Sequence, residues 1–147
     1  MRSALCAIGV DVEVFLRIVY IGIGGFVGAI CRYGMSGFVY RMLGGDFPVG
    51  TLFVNTFGSF ILGFILQMHS EYLVFNENIR VGLSIGVLGA FTTFSTFSYE
   101  TYCLVKDGEI FKAGFNIFSN VFLCLVAVWL GIVGAKLISG RMQSPYF

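Results

Sequence analysis

The hydrophobic positions of this chain fall into four long runs separated by short polar segments. The runs cover about residues 14–43, 47–68, 81–99 and 113–135, and the second and fourth contain no Asp, Glu, Lys or Arg. A helix needs about 20 apolar residues to cross a bilayer, so each run predicts one transmembrane helix. We therefore expect an all-α integral membrane protein with four transmembrane helices per protomer.

Polar residues mark the ends of these predicted helices. Gly44-Gly45-Asp46 ends the first, and Pro48 opens the second at a position where proline is tolerated. The polar stretch 70–80 and the charged turn 106–109 predict the two remaining loops. The expected organisation is a tail, a four-helix transmembrane domain and a second tail, at residues 1–13, 14–140 and 141–147.

The third run is interrupted by small and hydroxyl residues. Gly86 and Gly89 are followed, within residues 92–98, by five serines and threonines interspersed with phenylalanines. Glycine and clustered Ser/Thr are poor helix formers, and irregular backbone at membrane depth persists only when it is buried in protein or lines a cavity. Two structures stay open: a helix broken near residues 91–93, or a continuous helix whose hydroxyls bond to the preceding turn.

Polar side chains inside the apolar runs are candidate functional groups, because burying them without partners is costly. Asn55 can bond across helices or donate to a permeating anion. Asn116 and Asn120 share one face of the fourth helix and can join helices or line a pore. Arg32 can reach the interface, pair with Glu100 or Asp46, or attract anions into a vestibule. In a proton-coupled exporter, Glu100 would be the coupling carboxylate.

Phenylalanines recur at every third position of the interrupted segment. Phe94 and Phe97 share a helical face. Such aromatic stripes usually serve packing, but ring edges are electropositive and can also face a small anion.

Composition excludes several classes of protein. Only 12% of the 147 residues are charged and the mean hydropathy is +0.89, whereas soluble domains carry about 25% charged residues. The net charge of +1 predicts no nucleic-acid surface. No nucleophile–base pair occurs at useful spacing, so we expect no enzyme activity. The cysteines lack metal-ligand spacing and are expected to be free thiols: Cys6, Cys31, Cys103 and Cys124.

Charge and small residues both favour a pair of chains. The termini and the middle loop together hold five basic residues and the two opposite loops hold three. So weak a bias permits insertion in both orientations, hence an antiparallel dimer, although one orientation can still prevail. The small-residue surfaces at Gly24/Gly28 and Gly58/Ser59 predict contact with a partner chain.

Three segments carry a more specific pattern. They are Gly24-Gly25-x-x-Gly28-Ala29-x-x-Arg32-Tyr33, Gly50-Thr51-Leu52-x-Val54-Asn55-x-x-Gly58-Ser59 and Gly86-x-x-Gly89-x-Phe91-Thr92-Thr93-Phe94-Ser95-Thr96-Phe97. Together they resemble the signature of the CrcB/Fluc fluoride channel family, over essentially the whole chain apart from the N-terminal tail. The fourth run fits less sharply, since relatives often place Tyr and Ser where this chain has Asn116 and Asn120.

The resemblance implies a channel for passive fluoride efflux across the bacterial inner membrane, which reduces cytoplasmic fluoride toxicity. It implies a dual-topology homodimer with two antiparallel pores. The candidate pore residues are Asn55, Phe94, Phe97, Thr51, Ser95, Thr96, Asn116, Asn120, Arg32 and Glu100. The backbone carbonyls of Gly89 and Thr92 from both subunits would hold a structural sodium ion at the helix break.

Two alternatives belong to other classes of protein. A small dual-topology proton-coupled exporter has the same size, but it would need a carboxylate in the first helix, where this chain offers Arg32. A non-conducting membrane assembly subunit would leave the segment 86–98 without a role.

Overall fold

A computed structural model describes residues 12–72 and 74–142 of the chain, with side chains described as far as residue 139. Every regular element within these residues is helical. In chain order they are α1 (Val12–Leu43), α2 (Val49–Tyr72), α3 (Glu77–Val81), a π-helical stretch (Gly82–Leu88), α4 (Gly89–Phe91), α5 (Phe94–Lys106) and α6 (Ile110–Met142).

Four spans are long and apolar enough to cross a membrane: α1, α2, α6 and the composite third span Glu77–Lys106. The predicted all-α fold with four transmembrane helices is therefore confirmed. The third span unites α3, the π-helical stretch, α4 and α5.

The helices extend further than the apolar runs suggested. The predicted loop at 70–80 is too long, because α2 continues to Tyr72 and the next helix already begins at Glu77. Asn76 caps that helix, its side chain accepting a hydrogen bond from the backbone of Ile79. Polar residues at a membrane surface can continue a helix into water, which explains the error. Of the predicted N-terminal tail, residues 12–13 lie in α1, and the rest lies outside the described residues.

Small residues bring the spans together within a single protomer. Gly24 and Gly28 of α1 lie directly against the backbone of residues 82–87, and a Cβ atom on Gly28 would overlap the carbonyl of Val87. Gly58 of α2 lies against the side chains of Phe91 and Thr92. The expectation that these glycines need a second chain is therefore wrong, since their close contacts are made by the third span.

The third span is broken where the Gly/Thr pattern indicated. Its first half ends at Phe91, Thr92 and Thr93 are extended with ψ of 156° and 115°, and α5 begins at Phe94. Thr93 caps α5, its hydroxyl accepting a hydrogen bond from the Thr96 amide at 3.2 Å. The broken helix is confirmed and the continuous helix is excluded.

Candidate functional site

The break frees the backbone amide of Thr93, which Asn55 of α2 satisfies. The Thr93 amide donates to Asn55 Oδ1 at 2.8 Å, and Asn55 Nδ2 donates to the Thr93 carbonyl at 3.2 Å. A buried backbone group without a partner would be costly at this depth. Asn55 therefore replaces part of the hydrogen bonding that the helix loses, and it does so from the neighbouring span.

Arg32 of α1 satisfies a second freed group. Its Nε donates to the Ala90 carbonyl at 3.1 Å. In an unbroken helix that carbonyl would accept from Phe94, four residues on. Among residues 12–72 and 74–139, the ion pairs present involve other arginines and lysines, so the alternative in which Arg32 pairs with Glu100 or Asp46 is not seen.

The two asparagines of α6 continue the bonding that starts at Asn55. Asn55 Nδ2 donates to Asn120 Oδ1 at 3.0 Å, and Asn120 Nδ2 donates to Asn116 Oδ1 at 2.9 Å. Asn116 Nδ2 then donates to the hydroxyl of Thr101 at 2.8 Å, and that hydroxyl donates to the Phe97 carbonyl at 2.8 Å. We call Asn55, Asn120, Asn116 and Thr101 the amide ladder; it links α2, α6 and α5.

A cavity of about 380 Å³ lies beside the break. Its wall is made of amides, hydroxyls and apolar groups, and none of its lining residues is charged: Asn55, Ser59, Leu62, Thr92, Thr93, Phe94, Phe97, Asn120, Val121, Cys124 and Leu125. The rings of Phe94 and Phe97 stand 5.5 Å apart at 53°. Phe97 is 8% exposed but Phe94 is 78% exposed, so one side of this cavity is open in a single chain.

A second cavity of about 450 Å³ lies toward the loop between α1 and α2. Its lining includes Thr51, Thr96 and Glu100, and the Thr51 hydroxyl donates to Glu100 Oε1 at 2.8 Å. Thr51 lies one turn before Asn55 on α2, and the hydroxyls of Thr96 and Thr93 are 3.0 Å apart. Side chains on the same two helices thus line both cavities, and polar groups connect them.

Three of the predicted pore residues line neither cavity: Arg32, Ser95 and Asn116. Ser95 is exposed and its hydroxyl lies 3.3 Å from that of Thr93, whereas Asn116 is completely buried. Thr101 and the Ala90 carbonyl belong to the site but were not singled out in the sequence. The spacing of Asn116 and Asn120 and the position of Asn55 within an apolar run pointed toward the ladder.

The backbone carbonyl oxygens of Gly89 and Thr92 are of the type that binds a hard cation. The helical partner of Gly89 would be the Thr93 amide, which donates to Asn55 instead. The partner of Thr92 would be the Thr96 amide, which donates to the Thr93 hydroxyl. The break therefore leaves both oxygens without their helical donors, and oxygen ligands suit cations such as Na⁺.

Comparison with known proteins identifies the family of this chain. A family model described as CrcB-like protein, Camphor Resistance (CrcB), matches residues 19–132. The chain belongs to the CrcB family. It is 47% identical over 121 residues to the fluoride-specific ion channel FluC of Geotalea daltonii, covering 82% of this chain and 98% of the relative. The fluoride-specific ion channel FluC of Geobacter sulfurreducens is 47% identical over 119 residues, 81% of this chain and 96% of the relative.

These CrcB relatives carry names of ion channels, which are not a class of enzyme. The matched range begins within α1 and ends within α6, so it spans the break, the amide ladder and both cavities. With its four spans and its bacterial relatives, this CrcB protein is a multi-pass protein of a bacterial membrane.

Proposed function

We propose that this protein is a fluoride-selective ion channel that carries fluoride passively out of the cytoplasm and so reduces its toxicity. The observation that carries the proposal is the uncharged cavity at the broken third span, where Phe94, Phe97 and several hydroxyls meet. The names of the curated relatives, fluoride-specific ion channels at 41–47% identity, support the same function.

The chemistry of this wall suits a small, strongly hydrated anion. Removing water from such an ion is costly and must be offset by fixed donors along the path. Hydroxyls and aromatic ring edges provide partial positive charge, and they avoid the full charge that would trap the ion. Conduction requires binding that is favourable enough for entry and weak enough for exit.

A homodimer in antiparallel orientation completes the proposal. Phe94 is largely exposed in one chain, although a pore residue should face an enclosed path. A second copy placed over this side would enclose the cavity. The weak bias in Lys and Arg supports insertion of the two copies in opposite orientations.

Sodium is proposed as a structural ion between the two subunits. Gly89 and Thr92 would supply carbonyl ligands from each chain, on the grounds that the break removes the helical donors to both oxygens. When bound, the ion would supply positive charge between the two broken helices. Exchange of Na⁺ for N-methylglucamine during purification should lower the melting temperature of the dimer, and an unchanged melting temperature would argue against the ion.

Efflux from liposomes tests the function directly. Purified protein is reconstituted into vesicles loaded with equal potassium fluoride and potassium chloride, valinomycin is added so that K⁺ can leave with the anion, and each anion is followed by its own electrode. We expect fluoride to leave without chloride and without an imposed proton gradient. Fluoride movement that requires a proton gradient would favour the exporter, and the absence of any flux would favour the assembly subunit. Cross-linking in mild detergent should give a two-chain species.

A further inference from the structure

The direction of every hydrogen bond in the amide ladder follows from one backbone group. A side-chain amide can exchange its oxygen and nitrogen by a half turn, so its orientation needs an anchor. The Thr93 amide can only donate, which fixes Asn55 Oδ1 toward it. Asn55 Nδ2 must then face the Thr93 carbonyl and Asn120, so Asn120 presents its oxygen.

The remaining members inherit this orientation. Asn120 has both amide hydrogens directed at Asn116, one to Oδ1 at 2.9 Å and one to the carbonyl at 3.1 Å. Asn116 in turn donates to Thr101, and the Thr101 hydroxyl is left to donate to the Phe97 carbonyl. The ladder therefore has a single polarity from α2 through α6 to α5.

Both ends of the ladder hold the same short piece of helix. One end bonds the residue that caps α5, Thr93, and the other ends on the Phe97 carbonyl in the next turn. Phe94 and Phe97 both lie on this piece. Asn116 is completely buried, and Asn120 directs no hydrogen at the cavity that it lines.

We infer that Asn116 and Asn120 are positioning residues, which orient Asn55 and hold the start of α5, and are not donors to the permeating ion. The inference rests on the proposed function, because its consequence is that the ladder sets where Phe94 and Phe97 stand along the ion path. An ion that reaches Asn120 meets an amide whose two hydrogens are already bonded within its own helix.

Leucine substitution at Asn116, which lines neither cavity, separates positioning from pore lining, and the same change at Asn120 tests the next member of the ladder. Leucine has the same number of side-chain heavy atoms as asparagine and the same branching at Cγ, but none of its side-chain atoms is polar. We expect Asn116→Leu and Asn120→Leu each to lower the maximal fluoride efflux about tenfold or more in a protein that still dimerises. The double variant should lose no more than the worse single variant, because residues that act as a unit are not additive.

Ser119→Ala is the matched control. Ser119 is buried between the two asparagines on α6, but its hydroxyl donates only to carbonyls of its own helix. Its efflux should equal that of the parent. Parent-level efflux in Asn116→Leu would overturn the inference, because a residue that lines neither of the two cavities affects conduction here through the ladder.

Hydrogen exchange supplies a readout that does not depend on conduction. Peptides covering residues 89–97 should exchange faster in Asn120→Leu than in the parent, whereas Ser119→Ala should leave them unchanged. Unchanged exchange in Asn120→Leu would overturn the inference. If the parent does not conduct fluoride, the proposed function fails, but this comparison still decides whether the ladder holds the break.

Thr101 provides a second pair of variants if the leucine variants do not form dimers. Thr101→Ser keeps the hydroxyl that ends the ladder, and Thr101→Val removes it while preserving the shape. The serine variant should conduct like the parent and the valine variant should conduct less at every fluoride concentration. Equal efflux from the two would overturn the inference.

Discussion

Arg32 Nε donates a hydrogen bond to the carbonyl of Ala90, 58 positions further along the chain, at 3.1 Å. This contact connects the first span to the end of the first half of the third span, just before the break. The guanidinium of Arg32 therefore has a structural partner on the backbone. From the sequence alone, an arginine inside an apolar run also suggests a second role, the attraction of anions at the mouth of a pore.

Two substitutions of Arg32 distinguish these roles. In Arg32→Gln the amide nitrogen is as many bonds from the backbone as Nε, so the donor remains and the charge is lost. In Arg32→Lys the charge remains but the donor moves one atom further out. If the contact with Ala90 matters most, Gln should retain more fluoride efflux and a higher melting temperature than Lys. Better conduction in Arg32→Lys would instead indicate attraction of anions.

Substitution of Phe94 or Phe97 should reduce fluoride conduction much more than it reduces the stability of the fold. Replacing either with Ile keeps an apolar side chain, and swaps of similar volume usually cost less than about 1.5 kcal/mol. We expect Phe94→Ile and Phe97→Ile to form dimers and to lose most fluoride efflux, because ring edges are removed from the cavity wall. Phe111→Ile is the control, since Phe111 is 96% exposed at the start of α6. Parent-like efflux in both phenylalanine variants would show that Phe94 and Phe97 serve only in packing.

Asn55→Asp should abolish fluoride efflux. The carboxylate can still accept from the Thr93 amide, but it cannot donate to the Thr93 carbonyl or to Asn120, and its charge would repel an anion. Losing these bonds in a buried site costs about 1–3 kcal/mol for each group left unpaired. In the structure both amide hydrogens of Asn55 are bonded to protein oxygens, so direct donation to the ion would require one bond to open. That donation stays a prediction.

Thr56→Val is a suitable control for Asn55→Asp. Thr56 is the next residue on α2, and its buried hydroxyl has no hydrogen-bond partner among the residues that the structure describes. Removing it should leave efflux and the melting temperature unchanged or slightly raise the latter. Normal efflux in Asn55→Asp, measured beside this control, would reduce Asn55 to a link between helices.

Gly28→Ala should destabilise the protein strongly. The added methyl group would meet the carbonyl of Val87, and backbone there cannot move without disturbing the π-helical stretch. Overpacking typically costs about 1–3 kcal/mol. Gly34→Ala is the control, because no atom lies within 4 Å of a Cβ at that exposed position, and alanine is the better helix former. Equal thermal stability of the two variants would contradict the packing described above.

The sequence predicts the parts of this fold that depend on local composition. Apolar length marks the four spans, and the Gly/Thr segment marks the break at Thr92 and Thr93. The π-helical stretch, which packs closely against Gly24 and Gly28, has no comparable signal in the sequence.

The site is harder to predict from the sequence than the fold, because its residues come from different helices. Asn55, Asn116 and Asn120 were recognised as polar positions in apolar runs, but their mutual bonds depend on how α2 and α6 are rotated. The same limitation explains why the glycines of α1 suggested a second chain. Small residues indicate that another helix packs closely against them, but they do not specify which helix it is.

The broken helix also bears on how the chain enters the membrane during synthesis. The third span is the least hydropathic of the four, and its interruption leaves peptide groups that lipid cannot satisfy. Two of those groups, the Ala90 carbonyl and the Thr93 amide, are bonded by Arg32 and Asn55, which belong to spans made earlier. Stable insertion of the third span in its broken form therefore depends on the first two being in place. The order of the spans along the chain supplies these partners before the segment that needs them.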